Sequence, residues 1–312
     1  MIQASAVGFT LFFTLQGCIY DDLPPCPPED GERFVVRQDW SEAEAVTPGF
    51  AMPEGVTVQL YADGSARWWR FLTPPDGGEV DVPDGRYSIA TFNNDTHDII
   101  MTGNESFATL TAYTTEGSLL SPAGKSYEGG AEPPRHNPEE SVRREPELLY
   151  AGTAECELNS GHREVTIAEH RLTGIYSVRV TGVTHSEGIA GLSMSLSGLS
   201  GARRIADGER VGNPVTIAGH LKVADTGTLE GRLQNFGPAG GEVTHTLSVY
   251  VWLRDGSKIA FGYDVTGQIT AGRLDLDIEV AGMELPEVED PDIGGMDVGI
   301  DNWENVDIEL TN

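Results

Sequence analysis

The chain has 312 residues, which suits two domains better than one, and its 38 Gly and 18 Pro fit many turns between short strands. A formal net charge of −29 excludes the basic face that nucleic-acid phosphates demand, and it disfavours electrostatic docking onto anionic lipid.

Ala4 to Leu15 is an apolar run holding Val7, Phe9, Leu11, Phe12 and Phe13. A helix needs about 20 such residues to cross a bilayer, so this shorter run reads as the core of a secretory signal peptide. It ends in Leu15-Gln16-Gly17-Cys18, which resembles the lipobox of bacterial lipoproteins and implies cleavage before Cys18 and acylation of its thiol. Met1-Ile2-Gln3 lacks the usual basic start, and Gln16 is larger than the residue usual there. Asp21 and Asp22 resemble a surface-export signal, and Pro24, Pro25, Pro27 and Pro28 form a stiff extended tether over residues 18–32. Signal peptide 1–17 and tether 18–32 therefore precede the folded part, with the lipid-anchored protein expected on the outer membrane, facing outward.

From Arg33 onward, apolar residues recur with period two, the mark of strands with one buried face. Val56, Val58 and Leu60 alternate with polar neighbours, Asp63-Gly64 supplies a turn, and Trp68-Trp69-Arg70-Phe71 returns as a hairpin partner. Pro83-Asp84-Gly85 turns the chain into Arg86–Phe92, with Tyr87 and Ile89 on one face. Residues 114–147 are punctuated by Gly and Pro, with few core candidates, and read as a long loop that is functional or disordered. Leu148–Leu158 reads as the last strand of an N-terminal sandwich covering 33–160.

A second sandwich is expected over 161–312. Tyr176, Val178 and Val180 form one alternating face, and Leu247, Val249, Val251 and Leu253 another, with Tyr250 and Trp252 pointing the opposite way. Asp255-Gly256 predicts a hairpin into Lys258–Asp264; Leu274, Leu276, Ile278 and Val280 alternate with acids. After an acidic segment, 284–305, Val306, Ile308 and Leu310 predict a final strand. Since no helical spacing persists for four turns, the fold class is all-β, two tandem β-sandwich domains of Ig-like architecture after a lipoprotein signal peptide.

Chemistry-bearing patterns are sparse. The three cysteines, Cys18, Cys26 and Cys156, have no zinc spacing; with Cys18 lipidated, Cys26 and Cys156 are left as a possible disulfide or two separate thiols. Gly124-Lys125-Ser126 lacks the earlier glycine of a phosphate loop, because Leu119 stands there, and Ser200 lacks the GxSxG frame. The 7 histidines are dispersed, with no HExxH. No catalytic residue, cofactor or metal is assigned, and the chain is not read as an enzyme. Asp290, Asp292, Gly294, Gly295 and Asp301 approximate a calcium loop, but Gly294 offers no side-chain oxygen and Asp297 sits where an apolar residue is usual; a solvated acidic loop is the simpler account. Trp68, Trp69, Tyr250 and Trp252 could instead form an aromatic sugar platform, and Arg143-Arg144 offers a trypsin-like cleavage point in the loop.

Cys18-Ile19-Tyr20-Asp21-Asp22-Leu23-Pro24-Pro25-Cys26-Pro27 resembles the mature start of fimbrillin-associated anchor (FimB/Mfa-like) lipoproteins of Bacteroides-type bacteria. Arg37-Gln38-Asp39-Trp40, Pro53-Glu54-Gly55-Val56, Tyr61-Ala62-Asp63-Gly64, Pro83-Asp84-Gly85-Arg86-Tyr87 and Phe92-Asn93-Asn94-Asp95-Thr96 are similar to a related lipoprotein family of unassigned function. So are Leu196-Ser197-Gly198-Leu199, Phe236-Gly237, Asp255-Gly256 and Val265-Thr266-Gly267-Gln268 in the second half. The resemblance implies transthyretin-like sandwiches and a fimbrium (pilus) anchor or assembly component that takes a strand from a fimbrillin-like subunit by β-strand addition. The alternative is a surface adhesin or glycan-binding lipoprotein.

Overall fold

The computed structural model describes residues 32–120, 132–288 and 303–308. In chain order the first strands are β1 (Glu32–Asp39), then the short helix α1 (Ser41–Val46), β2 (Val56–Ala62), β3 (Trp68–Thr73), β4 (Gly78–Val82), β5 (Gly85–Asn93), β6 (Ile99–Thr102) and β7 (Thr111–Thr114). There follow β8 (Ser141–Arg143), β9 (Tyr150–Leu158), β10 (Glu164–Ala168), β11 (His170–Arg171) and β12 (Gly174–Thr181). The last are β13 (Ile189–Arg204), β14 (Arg210–Asp225), β15 (Thr228–Asn235), β16 (Thr246–Leu253), β17 (Lys258–Asp264), β18 (Leu276–Ala281) and β19 (Glu304–Ile308). The all-β expectation is borne out.

Two sheets face each other in the N-terminal half, in the orders β10-β1-β4 and β11-β9-β5-β2-β3. The alternation read from the sequence fills the space between them: Val56, Val58, Leu60, Tyr87 and Ile89 meet Phe34, Val36, Val80 and Val82 from the opposite sheet. Gly64, at φ 67°, closes the β2–β3 hairpin in a conformation that a side chain disfavours. β10 and β11 lie beyond the expected division at residue 160, and they pair with β1 and β9. The reason is a parallel pairing, Val35 opposite Glu164 through Asp39 opposite Ala168, which local alternation does not reveal.

In the C-terminal half the strand order is β18-β12-β15-β14-β13-β16-β17-β19. β13 and β14 are 16 residues each and carry register shifts, so they serve both layers of the sandwich. Tyr176, Val178 and Val180 of one layer pack with Met194, Leu196, Val249, Val251 and Phe261 of the other.

The expected loop over 114–147 is corrected in the parts described. Ser141–Arg143 is β8 and pairs parallel with Val215–Ile217 of β14, while β7 pairs with the end of β13. Leu119 and Leu120 are buried against Tyr250 and Trp252, joined by Trp303 and Val142. The described parts of this stretch therefore strap the outer face of β16, and that strand is buried along its whole length. Part-buried polar contacts tie it down: Glu140 accepts from the Gly198 N–H at 3.1 Å and from Thr216 Oγ1 at 2.8 Å, and Asn137 donates to Ser197 Oγ at 3.0 Å. A three-residue strand with a partner over 70 residues away leaves no periodic trace.

Candidate functional site

A protein that takes a strand needs a sheet edge whose outward N–H and C=O groups are unpaired. β3 is the last strand of its sheet and pairs only with β2. The Ala62 N–H donates to the Arg67 carbonyl at 3.0 Å, which sets the phase. Trp69, Phe71 and Thr73 turn their backbone groups to β2, and Trp68, Arg70 and Leu72 turn theirs outward. Among the described residues nothing bonds those outward groups.

The side chains along this edge are distinctive. Leu72, at 73% exposure, is the most exposed large hydrophobic among the described residues. Trp68 is half-buried and stacks on Tyr61, with ring centroids 6.4 Å apart, and the Arg70 guanidinium lies 5.7 Å above the Trp68 ring. Arg70 Nη2 donates to Asn104 Oδ1 at 2.7 Å. Pro74 and Pro75 end the strand. That pair was the available sequence signal, since proline is confined to edges and strand ends; edge status itself depends on topology and was not read.

Other edge strands are built differently. Gln268 donates through Nε2 to the Glu279 carbonyl and accepts the Glu279 N–H on Oε1, both at 2.9 Å. Its amide thus occupies the outward backbone pair at the centre of β18, where a neighbouring strand would sit. β4, the edge of its sheet, carries the exposed Glu79, a charge that blunts it.

The residues singled out in the sequence fall as follows. Cys18, Cys26, Asp290, Asp292, Asp301 and Gly124-Lys125-Ser126 lie outside the described residues. Cys156 sits on β9, half-buried opposite Tyr87, and burial pushes its thiol pKa up. Ser200 is buried and donates to the Ala202 and Val211 carbonyls at 2.8 and 3.1 Å, a structural role. The aromatic platform is corrected: Trp69, Tyr250 and Trp252 are in cores, because remote segments cover the faces that alternation alone leaves open. Only Trp68 of the four keeps a partly exposed ring. Arg143 lies within β8 and donates to the Thr114 carbonyl, and Arg144 pairs with Asp98 at 3.0 Å, so the dibasic pair is built into the sheet margin.

Residues 30–218 match the family model described as Domain of unknown function (DUF5119). The chain belongs to that family. This DUF5119 protein is also 37% identical over 101 residues to a Bacteroides ovatus protein named "Putative fimbrium anchoring subunit Fim4B". That match takes in 32% of this chain and 28% of the relative, so it spans under a third of the relative's length. Among solved structures, a Bacteroides ovatus protein described as a "putative adhesin" shares the fold at TM-score 0.63 and 20% identity, over 84% of this chain and 95% of the other. The fimbrial anchor protein Mfa2 from Porphyromonas gingivalis shares it at TM-score 0.50 and 14% identity, over 79% and 89%. The resemblance to fimbrial anchor proteins expected from the sequence is borne out. No described helix is long and apolar enough to cross a membrane.

Proposed function

We propose that this DUF5119 protein is a lipid-anchored outer-membrane protein that faces the cell exterior and anchors a fimbrium, or helps to assemble it, by adding a fimbrillin-like strand to the free edge of β3. The observation that carries this reading is the row of unpaired backbone groups at Trp68, Arg70 and Leu72 beside an exposed leucine. The match to a protein named as a fimbrium anchoring subunit supports the biological setting. Cys18 would carry the lipid, with residues 18–32 as tether to β1, and the relatives supply no enzymatic role.

A photocrosslinking residue at position 72 in intact cells tests the edge. It should capture a fimbrillin-like subunit, whereas the same residue at exposed Val46, off the edge, should not. Leu72→Pro removes one outward N–H without touching the β2 ladder, so it should abolish capture while leaving the fold intact. Capture that is equal at both positions, or absent at 72, refutes the assignment to β3. The anchor has its own test: Cys18→Ala should lose fatty-acid labelling and membrane attachment, and attachment that survives refutes it.

A second reading, surface adhesion, is favoured by the fold shared with the Bacteroides ovatus protein described as an adhesin. Its glycan-binding form has lost three of its four proposed aromatics to cores, leaving Trp68 as the residue to test.

A further inference from the structure

A chain with 49 acidic and 20 basic residues pairs many of its cations with carboxylates, but one pocket departs from that pattern. Arg203, Arg210 and Arg273 line a cavity of about 210 Å³ with Gly208, Glu209 and Gly237. Arg203, at the end of β13, is held only by neutral carbonyls: Nε donates to Gly208 O at 2.7 Å, and Nη1 to Leu172 O at 2.8 Å and Phe236 O at 3.2 Å. Arg210 donates through Nη1 to Ala271 O at 2.8 Å. None of the three arginines has an ion pair among the described residues. The carboxylate at the rim, Glu209, is engaged by Arg204, which Asp207 also holds.

The charge here is uncompensated. Burial first, and then the charge of Arg210, pull the Arg203 guanidinium down to about 10. Among the described residues, Arg203 Nη2 and the Nε and Nη2 of Arg210 have no acceptor. Gly237, at φ 94°, keeps the wall thin, since a Cβ there would stand 3.1 Å from Arg210 Cδ. Guanidinium forks match planar and tetrahedral oxyanions, and the volume exceeds several times the roughly 30 Å³ share of one water.

We propose that this pocket binds an oxyanion group, a carboxylate, phosphate or sulfate, between Arg203 Nη2 and the Nε–Nη2 edge of Arg210, with Arg273 at the mouth. The site is independent of the β3 edge and of the fimbrial reading. Its pull is local, so a ligand that is neutral apart from one or two anionic groups suits it better than a polyanion facing a chain of net charge −29.

The test is a titration of the protein with sodium sulfate, inorganic phosphate, acetate, glucuronate and glucose at constant ionic strength, followed by the backbone amide resonances of Gly208, Gly237 and Gly272. Saturable shifts are expected with at least one anion and not with glucose. Saturation by sulfate or phosphate identifies an inorganic or ester group, by glucuronate a sugar acid, and by acetate a carboxylate; each supports the pocket. The double variant Arg210→Gln/Arg273→Gln should weaken binding about tenfold or more while keeping the anion-free thermal midpoint. Arg203→Lys retains the charge but loses the Nη2 donors that the carbonyls leave free, and should also weaken binding. No saturation with any anion, or shifts that the double variant leaves unchanged, overturns the proposal.

Discussion

Glu169, between β10 and β11, is fully buried, with Thr91 Oγ1 donating to its Oε1 at 2.6 Å and, among the described residues, no partner at Oε2. Loss of solvation pushes its carboxyl up to about 7 from an ordinary 4.5, against the opposing pull of the Thr91 hydrogen bond. Between those two values the folded chain keeps a proton that the unfolded chain has released. Stability from this group is therefore full below about pH 4.5 and is lost as the pH rises through about 7. At 1.36 kcal/mol per pH unit the loss is about 3 kcal/mol. Glu169→Gln cannot titrate, and any cost of its amide is the same at every pH. Urea unfolding of both proteins from about pH 4.5 to about pH 8.5 should therefore show the wild type falling about 3 kcal/mol further than the variant. With a slope of about 1–3 kcal/mol/M, the gap between midpoints should change by roughly 1–3 M. Parallel pH profiles would show that the carboxyl does not carry the proton the burial argument demands.

Gly174→Ala places a Cβ 2.0 Å from the Leu274 carbonyl oxygen and should cost about 1–3 kcal/mol in thermal unfolding, whereas Gly267→Ala, with nothing within 4 Å, should stay within about 0.5. Trp252→Ala empties the space under Leu119, Leu120 and Trp303 and should destabilise by about 3–5 kcal/mol in urea; a loss under about 1 would mean that the strap does not pack there. Gln268→Ala should speed hydrogen exchange of the Glu279 amide about tenfold or more, and unchanged protection would show that β18 is closed by something other than the Gln268 amide.

The β2–β3 and β16–β17 hairpins, β5, β12 and β18 were legible because period-two faces and Asp-Gly turns are local signals. What was not legible is long-range. Alternation told that Val249 and Tyr250 face opposite ways, but not that Leu119 and Trp303 would bury the second face. β8 is too short to show a period, and β1 meets β10 in parallel across more than 120 residues. Function suffers more from the same cause. Leu72, just past the aromatic run Trp68–Phe71, carries no signal of its own in the sequence, and only the sheet order leaves it on a margin. The three arginines of the anion pocket, spread over 70 residues, meet only because β14 leads back beside β13 and the turn before β18 folds over both.

The borrowing of β6, β7 and β8 by the C-terminal sheet sets a timetable for synthesis. The ribosome delivers β7 and β8 well before β13 and β14, the strands they join in that sheet, exist. β6 and β7 can pair with each other at once and β8 can bridge Glu116, but their places beside β13 and β14 stay unfilled while the N-terminal sheets close around β9 to β11. Folding that starts only once the whole chain has been delivered would remove that wait, because every long-range partner would then be present at the outset.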